Sequence, residues 1–125
     1  CPKDYVRING VCYKFFAEYK TYDQARQTCA IDGGLLVMPK DSETNSYLAR
    51  FFGDLWIGLN DVATEGQWVF EDGQTLESTG FSGWSPDEPS NGYNEDCVAL
   101  LEVYGQLESA WNDVRCSRTT SFICQ

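Results

Sequence analysis

Residues 85–97, SPDEPSNGYNEDC, hold Asp87, Glu88, Glu95 and Asp96 with the amides of Asn91 and Asn94, and no lysine or arginine. Oxygen donors at this density suit a hard divalent cation. Calcium takes six to eight oxygens from carboxylates, amide carbonyls, hydroxyls and water. Asn112 and Asp113 add an amide and a carboxylate downstream, and Asp61 and Glu65 in NDVATEG add two carboxylates upstream. Residues 51–114 carry thirteen acids and no base, whereas residues 1–50 carry six acids against seven bases. Carboxylates clustered without a cation repel one another, and a bound divalent ion relieves that repulsion. The plainer alternative is a solvated acidic face.

The charge also excludes partners and chemistries. At a net charge of −10 the chain lacks the basic surface that nucleic acid needs. It has no histidine, which removes mixed Cys/His zinc sites and the usual catalytic triads. Six cysteines in 125 residues point to a disulfide framework and an oxidising, extracellular compartment. No apolar run has the length of a membrane span, no signal peptide is present, and the chain opens on Cys1 as a processed product would.

Those side chains need elements to position them. CPKDYVRINGVCYKF alternates apolar and polar residues about Asn9-Gly10, which predicts a hairpin with Cys1 and Cys12 flanking its turn. TYDQARQTCAIDGG predicts a helix capped by Thr21 and Gln24 and ended by Gly33, with Tyr22, Ala25 and Cys29 inward. DSETNSYLARFFG predicts a second, capped by Asp41 or Ser42 and ended by Gly53, with Tyr47, Leu48, Phe51 and Phe52 inward. LWIGL, QWVF, CVALL, SAWN and SFICQ read as strands, and residues 71–96 as a long polar loop without helical or strand periodicity.

WIGL at 56–59, EPS at 88–90, EDC at 95–97, WND at 111–113 and FIC at 122–124 occur in order, with matching cysteine spacing. Together they make the whole chain resemble the C-type lectins. The resemblance implies an α+β C-type lectin-like fold, two helices flanking short antiparallel strands with a long calcium-binding loop region. It also implies a single carbohydrate-recognition domain over residues 1–125 and the disulfides Cys1–Cys12, Cys29–Cys124 and Cys97–Cys116.

The resemblance further implies a calcium held by Glu88, Ser90, Glu95, Asn112 and Asp113, with a cis peptide before Pro89. A second calcium would draw on Asp61, Glu65, Asn91 and Asp96, and Asn91 stands where an aspartate is usual, weakening that site. Sugar hydroxyls would complete the calcium shell and bond to Glu88, Ser90, Glu95 and Asn112, with Tyr93 stacking on the apolar face of the ring. Family members with EPN take mannose-type sugars and those with QPD galactose-type. Ser90 in EPS keeps the polarity of EPN, which slightly favours mannose-type hydroxyl pairs, and Tyr93 keeps galactose close behind. The tryptophans at 56, 68, 84 and 111 are expected in the core.

The expected function is calcium-dependent carbohydrate binding, with mono- and oligosaccharides of microbial or cell-surface glycans as partners and homo-oligomers adding avidity. A protein-interaction or ice-binding module on the same fold is the alternative. An enzyme is not expected. Glu88 and Glu95 resemble a glycosidase pair, but carboxylates committed to calcium cannot also carry an acid's proton.

Overall fold

The structure, a computed structural model, describes residues 1–90, 94–103, 106 and 108–125, with Phe51 described by its backbone alone. Strands β1 (Val6–Ile8) and β2 (Val11–Lys20) form the hairpin, with Ile8 opposite Val11. Asn9 and Gly10 turn it at φ of 49° and 82°. Both lie in the left-handed region that a tight two-residue hairpin requires, and Asn and Gly tolerate it best.

Helix α1 (Tyr22–Ile31) starts on the Thr21–Gln24 capping box, and Tyr22, Ala25 and Cys29 are its buried face. Helix α2 (Ser42–Phe51) is capped by Asp41, whose side chain accepts from the Thr44 N–H. Two expectations fail there. Tyr47 is 44% exposed rather than inward, while Leu48 and Ala49 supply the buried face. Gly53 does not terminate the helix, because the chain has already turned extended at Phe52 with φ −125°.

Strand β3 (Leu55–Asn60) is followed by β4 (Val69–Phe70), α3 (Leu76–Thr79), β5 (Cys97–Leu101), β6 (Ala110–Val114) and β7 (Thr120–Cys124). α3 is a single turn inside the stretch read as loop. Thr75 caps its start and Gly80 ends it in the left-handed conformation. The sheet runs β1-β2-β7-β3-β5-β6, with β4 paired to β3. It is mixed rather than wholly antiparallel, since β3 and β7 run parallel with Trp56 beside Phe122. Nor are all strands short: β2 has ten residues.

Alternation along β3 divides the core in two. Leu55, Ile57 and Leu59 join Leu48, Val98, Leu100 and Trp111 on one face, whereas Trp56 joins Tyr22, Ala25, Cys29 and Phe122 on the other. The helices thus cover opposite faces of a sheet whose central strand is buried on both. Disulfides join Cys1–Cys12, Cys29–Cys124 and Cys97–Cys116. Trp56 and Trp111 are fully buried, Trp68 nearly so and Trp84 partly.

Candidate functional site

Strand β6 is the platform. It pairs with β5, placing Ala99 opposite Asn112 and Val98 opposite Asp113. Alternation sends Trp111 and Asp113 to one side and Asn112 to the other. Trp111 is fully enclosed, and its indole Nε1 donates to Asn45 Oδ1 of α2 at 2.7 Å. Its backbone N–H donates to the Gly83 carbonyl and its carbonyl accepts from the Ser85 N–H, both at 2.9 Å. The acidic loop is thereby laid along the free edge of β6.

Five residues further on, that loop brings Ser90 onto Asp113. The Ser90 N–H lies 2.9 Å from Asp113 Oδ1 and 3.1 Å from Glu88 Oε2. Ser90 Oγ sits 3.1 Å from both Glu95 Oε1 and Asp113 Oδ1. The Glu88–Pro89 peptide is cis. Glu88, Ser90, Glu95 and Asp113 therefore form one cluster. Asn112 lies beside it in sequence, but its Nδ2 donates to the Ala110 carbonyl at 3.2 Å.

One N–H and one O–H from Ser90 face three carboxylates, and a hydroxyl proton serves one acceptor at a time. Glu88 also accepts the Asp113 backbone N–H. Its contact with the Asp113 carboxyl, then desolvation and the Asp113 charge, push its pKa from the ordinary value up to about 7.

A second cluster joins Asp61, Glu65 and Asp96, each offering a carboxylate oxygen within 4.8 Å of the others. Asp61 is 2% exposed. Its Oδ2 accepts the Gly66 N–H at 2.8 Å, while its buried Oδ1 has no hydrogen-bond donor among the described residues. Burial, foremost, and then the Glu65 contact raise its pKa to about 7, against the Gly66 N–H and with Asp96 adding to the rise. Asn91 and Tyr93, expected at the second cation and the sugar, lie outside the described residues.

An all-oxygen donor set, an orphaned buried carboxylate oxygen and a stretch without lysine or arginine over residues 51–114 fit a hard divalent cation. Asn45 and Gly83, which fix the platform through Trp111, were not anticipated. Nothing local in NSYL or SGW signals a contact 66 residues away.

The family model for the Lectin C-type domain matches residues 18–125. The chain belongs to the C-type lectin family. An α-N-acetylgalactosamine-specific lectin of Patiria pectinifera is 35% identical over 94% of this chain and 74% of its own length. A mannose-binding C-type lectin isoform of Oxyuranus scutellatus is 34% identical over 100% of this chain and 82% of its own. Human Collectin-10 is 37% identical over 90% of this chain, which spans only 40% of that protein. The C-type lectin domain family 17 member A, also human, is likewise longer, and the chain spans 32% of it.

Among solved structures, the C-type lectin CEL-I of Cucumaria echinata superposes with a TM-score of 0.86 at 27% identity, covering 99% of this chain and 95% of that one. A calcium-independent type II antifreeze protein shares the fold at TM-score 0.86 and 24% identity, covering 99% and 92%. This C-type lectin domain is a binding module and not an enzyme.

Proposed function

We propose that the domain binds neutral carbohydrate in a calcium-dependent manner at the Glu88–Ser90–Glu95–Asp113 cluster, with Asn112 completing the ligand set. The convergence of three carboxylates on Ser90 carries this reading, because its single hydroxyl lies 3.1 Å from both Glu95 Oε1 and Asp113 Oδ1 and its proton serves only one of them at a time. A cation in their midst would displace the proton that the Asp113 contact, then burial and the Asp113 charge, favour on Glu88, whose pKa they push up to about 7. Calcium held there would supply coordination positions for two vicinal sugar hydroxyls. The residues themselves do the rest: carboxylates accept from those hydroxyls and the Asn112 amide donates. Asp61, Glu65 and Asp96 would hold a second cation on the same logic, with Asn91 as a further expected ligand.

The relatives do not choose the sugar. At near-equal identity one is named for N-acetylgalactosamine and another for mannose. Ser90 offers a hydroxyl where an amide would reach further, and we favour mannose-type hydroxyl pairs on its polarity. Three disulfides support an extracellular setting. Among the described residues no helix is long and apolar enough to cross a membrane.

A glycan array probed in millimolar calcium and again in chelator tests the reading. Binding to mannose- or galactose-terminated glycans that disappears with chelator and in Glu95→Gln supports it. Calcium-insensitive binding, or a calcium-loaded domain that retains no glycan and instead inhibits ice growth or captures protein, refutes it.

A further inference from the structure

We propose that a cavity of about 540 Å³ beside α3 is a second saccharide subsite, taking a neutral sugar unit that extends from a residue held at the Glu88–Asp113 cluster. The inference rests on the carbohydrate reading above and adds to it a preference for length and for neutral charge.

The cavity's lining has the composition that sugar recognition calls for. Its deeper wall is aromatic, formed by Trp68, Phe81 and Trp84, of which Trp68 is 8% exposed. Trp68 and Trp84 meet edge to face at 5.1 Å, which fixes both rings. Gln67, Glu77 and Ser82 stand exposed at the mouth and offer an amide, a carboxylate and a hydroxyl. A sugar ring presents an apolar C–H face and a rim of hydroxyls, matching an aromatic wall with a polar mouth.

Its position ties it to both carboxylate clusters. Trp84 bridges Trp111, and the Ser85 N–H bonds the Trp111 carbonyl at 2.9 Å, so the cavity wall runs alongside the strand that carries Asn112 and Asp113. Trp84 thus lies one strand spacing, about 4.8 Å, from Trp111, two residues before Asp113. On the opposite side Gly66 lines the cavity and donates its N–H to Asp61 Oδ2. Whatever settles the Asp61 cluster therefore also settles this wall.

Charge sets the class of sugar. Glu77 is the one charged side chain lining the cavity among the described residues, and no base occurs anywhere in residues 51–114. A sulfated or sialylated unit would bring its anion against a carboxylate with no cation to pair it. Neutral hexose or N-acetylhexosamine units meet no such penalty.

The test compares mannose and galactose with their neutral tri- and tetrasaccharides by calorimetry in millimolar calcium, using wild type, Ser82→Phe and Glu77→Lys. Phe at position 82 plugs the mouth from an exposed position. The oligosaccharide matching the bound monosaccharide should bind on the order of tenfold more tightly in wild type, the gain of one added aromatic contact. Ser82→Phe should lose that gain while the monosaccharide affinity stays unchanged. Glu77→Lys, which keeps the cavity open, should bind a sulfated trisaccharide that wild type rejects. Equal affinity for mono- and oligosaccharide in wild type overturns the subsite and leaves the primary site intact. A gain retained in Ser82→Phe, with Glu77→Lys still rejecting the sulfated sugar, overturns it too. Absence of any calcium-dependent binding to sugars of either length brings down the primary reading and this one together.

Discussion

Replacing Asn45 with leucine should destabilise a site that Asn45 never touches. Its Oδ1 accepts from Trp111 Nε1 at 2.7 Å, and Trp111 is fully buried between α2 and the acidic loop. An indole N–H can only donate, and no other acceptor for this one is seen among the described residues. Leucine is close to asparagine in size, so the substitution leaves the space filled and the N–H unpaired. A buried donor left without its acceptor costs about 1–3 kcal/mol. For a domain of this length that lowers the melting temperature by roughly 5–10 °C. Strand β6 holds Asp113 two residues on, so looser seating of Trp111 should weaken calcium binding as well. Urea denaturation in chelator reads the first effect and a calorimetric calcium titration the second. Asn45→Asp keeps an acceptor and should recover most of the stability, whereas Asn45→Ala should fall between, since water can enter the space. Wild-type stability in Asn45→Leu would show that the hydrogen bond contributes nothing and that Trp111 is held by packing alone.

Without calcium, stability should fall as pH rises from about 5 to 8. Asp61 and Glu88 both titrate near 7 in the folded protein, above their unfolded values, so the native state binds more protons. Their contribution is fully present below roughly pH 4 and lost as pH passes through 7, a change of a few kcal/mol in all. Asp72, held low by Lys40, works in the opposite sense, but only in more acidic solution. Saturating calcium should reverse the slope, and a calcium-free protein more stable at pH 8 than at 5 would contradict the assignment. Gly58→Ala should lose about 1–3 kcal/mol, because a Cβ there would sit 2.7 Å from the Leu36 carbonyl oxygen, and an unchanged urea midpoint would refute that. Ser90→Ala removes the hydroxyl between Glu95 and Asp113 and should weaken calcium binding roughly tenfold by calorimetry. Unaltered affinity would take Ser90 out of the ligand set.

Local signals carried the elements. The Asn9-Gly10 turn, the Thr21–Gln24 box and the Asp41 cap each act within a few residues, so their residue types report them directly. Helix α3 escaped because one turn generates no periodicity, though Thr75, Ser78 and Gly80 are cap, donor and stop at helical spacing. Tyr47 misled because its helical position fits the apolar stripe, while the opposing hairpin stands off and leaves a groove. Strand order was out of reach: β2–β7 pairing joins residues a hundred apart, and no local pattern encodes it. At the site, the acidic bias marked the right loop. Burial of Asp61 at 2% exposure and the reliance on Asn45 arise only from packing.

The position of β7 in the sheet bears on how the domain is made. Among the described residues β7 is the last strand of the domain, yet it lies between β2 and β3, pairing Phe122 with Phe16 on one side and Trp56 on the other. A ribosome delivers it after every other part of the core. Until then the nascent chain carries Leu55, Trp56 and Ile57 with one edge of their strand open, a template for the wrong neighbour. Cys29 must also wait, since Cys124 emerges 95 residues behind it while Cys12 and Cys97 are already at hand. Any early bond to those has to be undone by thiol exchange. The yield of folded domain should accordingly depend on chaperone and isomerase supply more than on the stability of the finished domain.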